Sequence, residues 1–430
     1  MADALTILPP RHPLRGRASP PGSKSITNRA LLLAALSRGS SRLTGALKSD
    51  DTRYMADALR AMGVSVAEPD ATSFVVTATG RLHAPAAPLF LGNAGTAVRF
   101  LTAAAALADG SVVVTGDTAM QRRPIAPLVA ALRSLQILAE APTGCPPVTI
   151  HGRGGFDGDA VTVDAGLSSQ YISAILMLAT GGRQPLKVAL KGDSIGARGY
   201  VDLTCAAMRR FGAHVEQIGT ATWVVQPGGY RATDLEIEPD ASAATYLWAA
   251  EALTGGAIDI GIPPDRFTQP DARAYDLIRQ FPHMPAEIDG SQMQDAVPTL
   301  AALAAFNAAP VRFVGLANLR VKESDRVAAL ATELSRLSPG LAVEDGDALM
   351  VTPTSPQRFR AARIQTYSDH RIAMSMALVG LRVPGVTILD PDCVAKTYPD
   401  YWRDLASLGV VLEETDGSMN AKGIGLASFG

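Results

Sequence analysis

Two kinds of helical segment alternate six times along this 430-residue chain, and that alternation constrains the fold more than any single motif. One kind is apolar or small on every face: ALLLAALS from Ala30, AVRFLTAAAALADG from Ala97, ISAILMLATGG from Ile172, ASAATYLWAAEALTGG from Ala241, AVPTLAALAAF from Ala296 and RIAMSMALVG from Arg371. A helix without a polar face is stable only when surrounded, so these predict buried helices. The other kind is amphipathic and predicts half-exposed helices: DALRAMG from Asp57, AALRSL from Ala130, AAMRRFG from Ala206, AYDLIRQF from Ala274, ATELSRL from Ala331 and DLASLG from Asp404. The pairs recur at intervals of roughly 55 to 75 residues. Short β-rich stretches such as SFVVTATG, TWVVQPGG and DALMVTPT lie between them. The simplest architecture is six βαβαββ-like units, too many for one core, so two α/β domains of three units each are expected. The segment QPGGYRATD around Gly228 reads as the hinge between them, or as a hairpin turn.

At 47% hydrophobic residues the chain is globular. Its 39 Lys plus Arg against 41 Asp plus Glu leave a net charge of -2, which argues against general affinity for nucleic acid or acidic membranes. Any anion site must therefore be local. Cys145, Cys205 and Cys393 show no metal-type or CxxC spacing, and an odd number closes no disulfide set. The opening MADALTILPPRHPLRG lacks the apolar core of a secretory signal, and no apolar run approaches the roughly 18 residues of a membrane span. These features predict a soluble cytoplasmic protein.

The buried helices have polar mouths. GSKSITNR, NAGTAVR, LSSQ, MQDA and SDHR stand before or within their first turns, and VKESDR opens an amphipathic helix. If the mouths converge, several positive helix ends and their unpaired amides face one cleft, whose natural guest is a polyanion. PPGSKSITNR resembles a nucleotide P-loop only superficially. Ser23 separates Gly22 from Lys24, and Pro20 and Pro21 lack the N–H groups a phosphate cradle uses. Taken singly, the other motifs read equally well as caps and turns: GRGGFDGD from Gly152 as a surface loop, and His370 as a residue without metal-ligand neighbours. Taken together, Lys24, Arg29, Arg99, Arg123, Lys322, Arg326, Arg371 and Lys396 all lie in polar clusters beside buried helices. Only Asp295, Glu323, Asp325 and Asp369 in those clusters offer counter-charge.

PGSKSITNRAL, LGNAGTAVRFL, RRPIAPLVAAL, SSQYISAILM, RVKESDRVAAL, SDHRIAMSMAL and DPDCVAKTYPDYW, in that order from Pro21 to Trp402, resemble the 5-enolpyruvylshikimate-3-phosphate synthases. The resemblance covers essentially the whole chain. It implies an inside-out α/β barrel of two similar domains, each of three βαβαββ units, which agrees with the repeat count. The boundaries it suggests are residues 22–227 for the first domain and 1–21 with 228–430 for the second.

The resemblance also implies an activity, transfer of the enolpyruvyl group of phosphoenolpyruvate to shikimate 3-phosphate with release of phosphate. The two substrates together carry about five or six negative charges, which the cationic surplus would meet. Residue by residue, Ser25, Arg29, Ser168, Ser169, Gln170, Tyr200, Asp295, Asn318 and Lys322 are the expected shikimate 3-phosphate ligands. Lys24, Gly95, Arg123, Gln170, Arg326, Arg371 and Lys396 are those of phosphoenolpyruvate. Asp295 is the candidate acid/base at the attacked hydroxyl and Glu323 at the methylene carbon, with Lys322 and Lys24 as further catalytic candidates. Arg99 is expected to support the NAGTA turn. The scheme implies no metal and no organic cofactor, and it implies glyphosate binding beside Gly95, a monomer, and closure of the domains on shikimate 3-phosphate.

Two departures stand out: Phe100 follows Arg99 where the family usually has proline, and Ala197–Arg198–Gly199–Tyr200 replaces the common Ser-x-Pro-Tyr. The first is expected to shift the helix carrying Gly95 and Thr96. The second removes a hydroxyl, which Arg198 is a candidate to replace. The alternatives are the UDP-N-acetylglucosamine enolpyruvyl transferases and a silent relative that only binds anionic metabolites. The former family's reactive cysteine would fall at Thr118. A silent relative should lose charged chemistry first, yet Lys24, Arg123, Asp295, Glu323, Arg371 and Lys396 are all present.

Overall fold

A computed structural model of the chain describes residues 3–192 and 195–415; Met1, Ala2, Asp193, Ser194 and the stretch 416–430, with which the expected second domain ends, lie outside the described residues. Among the described residues, twelve α-helices follow the alternation read from the sequence. The apolar segments form α1 (Lys24–Ala35), α3 (Gly95–Ala104), α5 (Ser169–Ala179), α7 (Ala241–Thr254), α9 (Val297–Ala304) and α11 (His370–Gly380). The amphipathic ones form α2 (Asp50–Ala61), α4 (Ala126–Ser134), α6 (Gly199–Arg210), α8 (Ala274–Ile278), α10 (Arg326–Leu337) and α12 (Tyr401–Ser407).

Burial follows the pattern. Every residue of α3 and α11 is buried, because neither offers a face that water would solvate. Two separate hydrophobic cores result. One gathers α1, α3 and α5, with α3 packed on both of the others; the second gathers α7, α9 and α11 in mutual contact.

The units are literal in the sheets. Strand Ala160–Val163 leads through α5 to the parallel strand Leu186–Leu190, then through α6 to the hairpin Val215–Ile218 and Thr222–Val225. Glu287–Asp289, α9, Val311–Val314, α10, Ala342–Asp345 and Ala348–Val351 repeat the order. Around α11, the strand Ala4–Leu8 from the far end of the chain pairs antiparallel with both Val386–Leu389 and Val411–Thr415 and completes the sheet.

One unit is abbreviated. Strand Ala257–Asp259 pairs with Arg15–Arg17, and α8 has five residues. Pro263, Pro264, Pro270 and Pro282 fall in this stretch, and a prolyl nitrogen cannot donate to a ladder.

The segment around Gly228, expected as a hinge or a hairpin turn, is followed by strands that stay with the first core. Tyr230–Arg231 and Leu235–Glu236 still pair in parallel with Ser37–Thr44 of the first core, and Ile237 is buried in it. The chain crosses between cores where two segments run side by side: Ser23 donates to the Glu238 carbonyl at 2.9 Å and Asp240 to that of Pro21 at 2.7 Å. Gly22 is required at this crossing, since a Cβ there would lie 1.9 Å from the carbonyl oxygen of Gly45.

Candidate active site

Side-chain caps begin four of the six buried helices: Ser23 on α1, Ser168 on α5, Asp240 on α7 and Asp369 on α11. The helix α3 has no side-chain cap, so the amides after Gly95 keep their affinity for an anion. These mouths meet between the two cores around two adjoining cavities.

The first cavity is lined by Ser25, Arg29, Ser168, Ser169, Gln170, Tyr200, Asp295, Asn318 and Lys322. The second is lined by Lys24, Ser25, Gly95, Arg123, Gln170, Asp295, Lys322, Glu323, Arg326 and Arg371. Ser25, Gln170, Asp295 and Lys322 belong to both and form the wall between them. Lys396 reaches the second from behind, with Nζ 3.2 Å from Glu323 Oε1 and donating to the Asn93 carbonyl at 2.7 Å. All sixteen residues singled out from the sequence for binding or catalysis are thus brought together.

In the first cavity Arg29 is 2% exposed and held by neutral groups. Its Nε donates to Thr204 Oγ1 at 2.7 Å, and its terminal nitrogens donate to the carbonyls of Ser25 and Tyr200 at 2.9 and 3.2 Å. Its guanidinium lies 5.1 Å from the centre of the Phe100 ring and 5.8 Å from that of Tyr200. Burial pushes it down to about 10, which leaves it fully charged near neutrality. Asn318 Oδ1 is buried and takes no hydrogen bond from the protein, an arrangement costly unless a ligand donates to it.

In the second cavity the charges are dense. Asp295 accepts from Arg371 at 2.9 Å and Arg326 at 3.1 Å, and lies 3.5 Å from Lys322 Nζ. Burial alone would push the Asp295 carboxyl up, but Arg371, Lys322, Arg326 and Lys24 outweigh it and hold the group well below the usual carboxylate range. Burial likewise opposes ionisation of Glu323, and Lys396, Arg326, Arg123 and Lys24 reverse it. Lys322 is pushed down, by burial first and only partly offset by Asp295. Arg326 is 1% exposed and enclosed by Asp369, Glu323 and Asp295, so it orders the carboxylates as much as it faces the cavity. Arg123 has one carbonyl-type partner, Asn93 Oδ1 at 3.0 Å, and a buried Nε without one. Among the described residues, no group of three or more His, Cys, Asp or Glu is placed to hold a metal ion.

Several sequence expectations are corrected here. Asp325 is not counter-charge within the cluster: it caps α10 and pairs with Arg320 at 2.9 Å on the outside. Arg198 does not replace the missing hydroxyl, since its guanidinium donates to the Thr220 carbonyl and stacks on Trp223. Phe100 leaves Gly95 and Thr96 lining the second cavity and instead supports Arg29. Arg99 donates to the Gly95 carbonyl at 2.9 Å and so braces the turn from inside the helix.

Other residues were invisible to sequence reasoning. Asp51, 3% exposed, lies 3.3 Å from Lys24 and 3.7 Å from Lys396, yet KSDDTRYM reads as an ordinary acidic first turn. Gln294 lines the first cavity and Thr96 the second; MQDA and NAGTA held them, but only as parts of helix mouths. Asp271 had no sequence signal at all.

Comparison with known proteins identifies the family. The family model for EPSP synthase (3-phosphoshikimate 1-carboxyvinyltransferase) matches residues 8–405. The 3-phosphoshikimate 1-carboxyvinyltransferase of Rhizobium leguminosarum bv. trifolii (strain WSM2304) is 67% identical over 414 residues, 96% of this chain and 99% of that one. That of Pseudomonas syringae pv. syringae (strain B728a) is 64% identical over 411 residues, 95% of this chain and 98% of the relative. Among solved structures, an EPSP synthase from Acinetobacter baumannii superposes with a TM-score of 0.77 at 26% identity, covering 95% of this chain and 99% of that one. The enolpyruvyl transferase NikO from Streptomyces tendae gives the same TM-score at 18% identity, covering 96% and 99%, and shares the fold.

Proposed function

The chain belongs to the EPSP synthase family, and on that premise we propose which of its side chains carry the reaction. The enzyme transfers the enolpyruvyl group of phosphoenolpyruvate to the 5-hydroxyl of shikimate 3-phosphate and releases phosphate. The observation that carries the assignment of residues is the pair of cavities sharing one wall, with Asp295 and Lys322 in it. A reaction that joins two anions needs two anion sites and an acid/base group at the place where they meet.

Shikimate 3-phosphate occupies the first cavity, held by Ser25, Arg29, Ser168, Ser169, Tyr200, Asn318 and Lys322. Phosphoenolpyruvate occupies the second, held by Lys24, Arg123, Arg326, Arg371 and Lys396, with Gly95 leaving room for it. Gln170 faces both. As the anions enter, Arg371 and Lys322 turn part of their charge from Asp295 to the substrates. The Asp295 carboxylate then regains basicity at the moment a hydroxyl lies beside it.

Asp295 takes the proton of the attacking 5-hydroxyl, while Glu323, protonated through Lys396 or Lys322, delivers one to the methylene carbon. The oxygen adds to the neighbouring carbon and a tetrahedral ketal phosphate forms. Phosphate then leaves with the C–O bonding electrons and receives the proton that Asp295 took from the hydroxyl, and Glu323 takes a proton back from the methyl group to restore the double bond. Lys24, Arg123 and Lys396 hold the departing phosphate.

The chain divides into two domains at the paired crossing near Gly22 and Pro239, a few residues beyond the 22–227 division expected from sequence. The active unit is taken to be a monomer. Three free thiols and the absence, among the described residues, of a helix long and apolar enough to cross a membrane are in keeping with a cytoplasmic enzyme. Glyphosate is taken to occupy the phosphoenolpyruvate cavity and to compete with that substrate.

The test is phosphate release by the purified protein in EDTA, with each substrate omitted in turn. Release that needs both substrates and survives chelation is expected. Release with phosphoenolpyruvate and UDP-N-acetylglucosamine instead, or none at all alongside tight binding of either anion, would overturn the reading.

A further inference from the structure

We propose that Asp271 is a positioning residue for the transfer, a buried carboxylate that ties Tyr200 of the shikimate-side cavity to the backbone carrying Asp295. Asp271 is the second residue of the 3-10 turn Pro270–Arg273 of the second core and is 0% exposed. It lines neither cavity. Its Oδ1 accepts the N–H of Ala296, the residue after Asp295, at 3.1 Å. Its Oδ2 accepts the hydroxyl of Tyr200, which belongs to the first core. The Tyr200 carbonyl in turn accepts from Arg29 at 3.2 Å and from Thr204.

One continuous path therefore runs from the cation of the first cavity to the acid/base carboxylate in the shared wall, and Asp271 is its crossing point between the cores. The surroundings were built for this contact. Gly199, beside Tyr200, lies against Pro270, and a Cβ on it would come within 2.8 Å of the proline ring.

A carboxylate suits the role because both its oxygens accept, and here both are used. An apolar residue of similar size would fill the space but would leave the Ala296 amide and the Tyr200 hydroxyl unpaired. Placing a second carboxylate beside Asp295 is electrostatically unfavourable: burial first, then Asp295, pushes the Asp271 carboxyl up to about 6, with Tyr200 and Arg371 pulling it back and Asp240 adding to the push. An amide would avoid that cost, but it has one accepting oxygen and would set its NH2 against one of the two donors. Retaining a charge there points to what it orients.

The inference rests on the proposed roles of Tyr200 and Asp295, and the experiment separates the two. Asp271→Asn, Tyr200→Phe, the double variant and Asp295→Asn are compared for kcat, both KM values, shikimate 3-phosphate binding by calorimetry, and Tm. Asp271→Asn is expected to fold, to lose about ten- to a hundredfold in kcat with the KM for phosphoenolpyruvate within about twofold, and to weaken shikimate 3-phosphate several-fold. The double variant should be little worse than the poorer single one, since both cut the same path.

Wild-type kcat in Asp271→Asn, fully additive losses, or a uniform fall in kcat, both KM values and Tm would each overturn the proposal. If Asp271→Asn does not fold, Tyr200→Phe decides alone: unchanged kcat with only weaker shikimate 3-phosphate binding rejects the path to Asp295. If Asp295→Asn keeps its turnover, it is the reading of the site that falls.

Discussion

At the scale of the residue, Gly95 shows how little space the site leaves. A Cβ there would lie 2.7 Å from Arg99 Nη1 and 2.9 Å from both terminal nitrogens of Arg123, so a methyl group must push the Arg123 guanidinium from its place. Gly95→Ala is expected to raise the KM for phosphoenolpyruvate about tenfold and to weaken glyphosate at least as much. The KM for shikimate 3-phosphate should stay within about twofold; steady-state kinetics with each substrate varied checks this. Lys322 supplies a pH signature. Because its ammonium is pushed below the ordinary 10.5 by burial, it loses its proton before an ordinary lysine does, and kcat/KM should fall on the alkaline side at that lower pH. Lys322→Arg should move this limb to higher pH even if the plateau drops, and a limb that stays in place would remove Lys322 from the proton inventory.

At the scale of the element, two aspartates with the same local role differ in what surrounds them. Asp325 caps α10 through the amide of Ala328 at 3.1 Å, and Asp369 caps α11 through that of Arg371 at 3.0 Å. Asp325 is half-exposed, whereas Asp369 is 0% exposed and also holds the buried Arg326 at 2.8 Å. Asp325→Ala is expected to cost about 1 kcal/mol, the ordinary value of a cap, with turnover nearly unchanged. Asp369→Asn should cost about 3 kcal/mol or more, because it leaves a buried guanidinium without its main partner, and it should lower kcat as well. Urea unfolding curves beside turnover numbers distinguish the two. Sequence reasoning could name both residues as caps, since Ser or Asp before an apolar run is a local signal. It placed both in one charge cluster because neighbourhood in sequence stood in for neighbourhood in space, and for Asp325 that substitution failed.

At the scale of the whole molecule, the active site exists only where the two cores touch. Lys396 of the second core bonds the carbonyl of Asn93 in the first, and Tyr200 of the first bonds Asp271 of the second. Further links are Asp51 to Lys396 and Ile195, Ala197 and Arg198 to Ser291 and Gln292, and the chain itself crosses in two segments paired at Gly22 and Pro239, a double connection that suits rigid-body closure. Small-angle scattering should show the enzyme compact when shikimate 3-phosphate binds, and Lys396→Ala should weaken that response; an unchanged radius of gyration would count against closure.

What the sequence by itself determined was the set of twelve helices, their alternation in burial, the repeating unit and the charged mouths, because each rests on residues within a few turns of one another. What only the tertiary structure decided was which charges meet. Asp51 finds Lys396 across 345 positions of chain, the first and last strands of the second core close one sheet, and Asp271 crosses to Tyr200. Electrostatic energy depends on distance through space, and local pattern carries no measure of that distance until the two cores have packed.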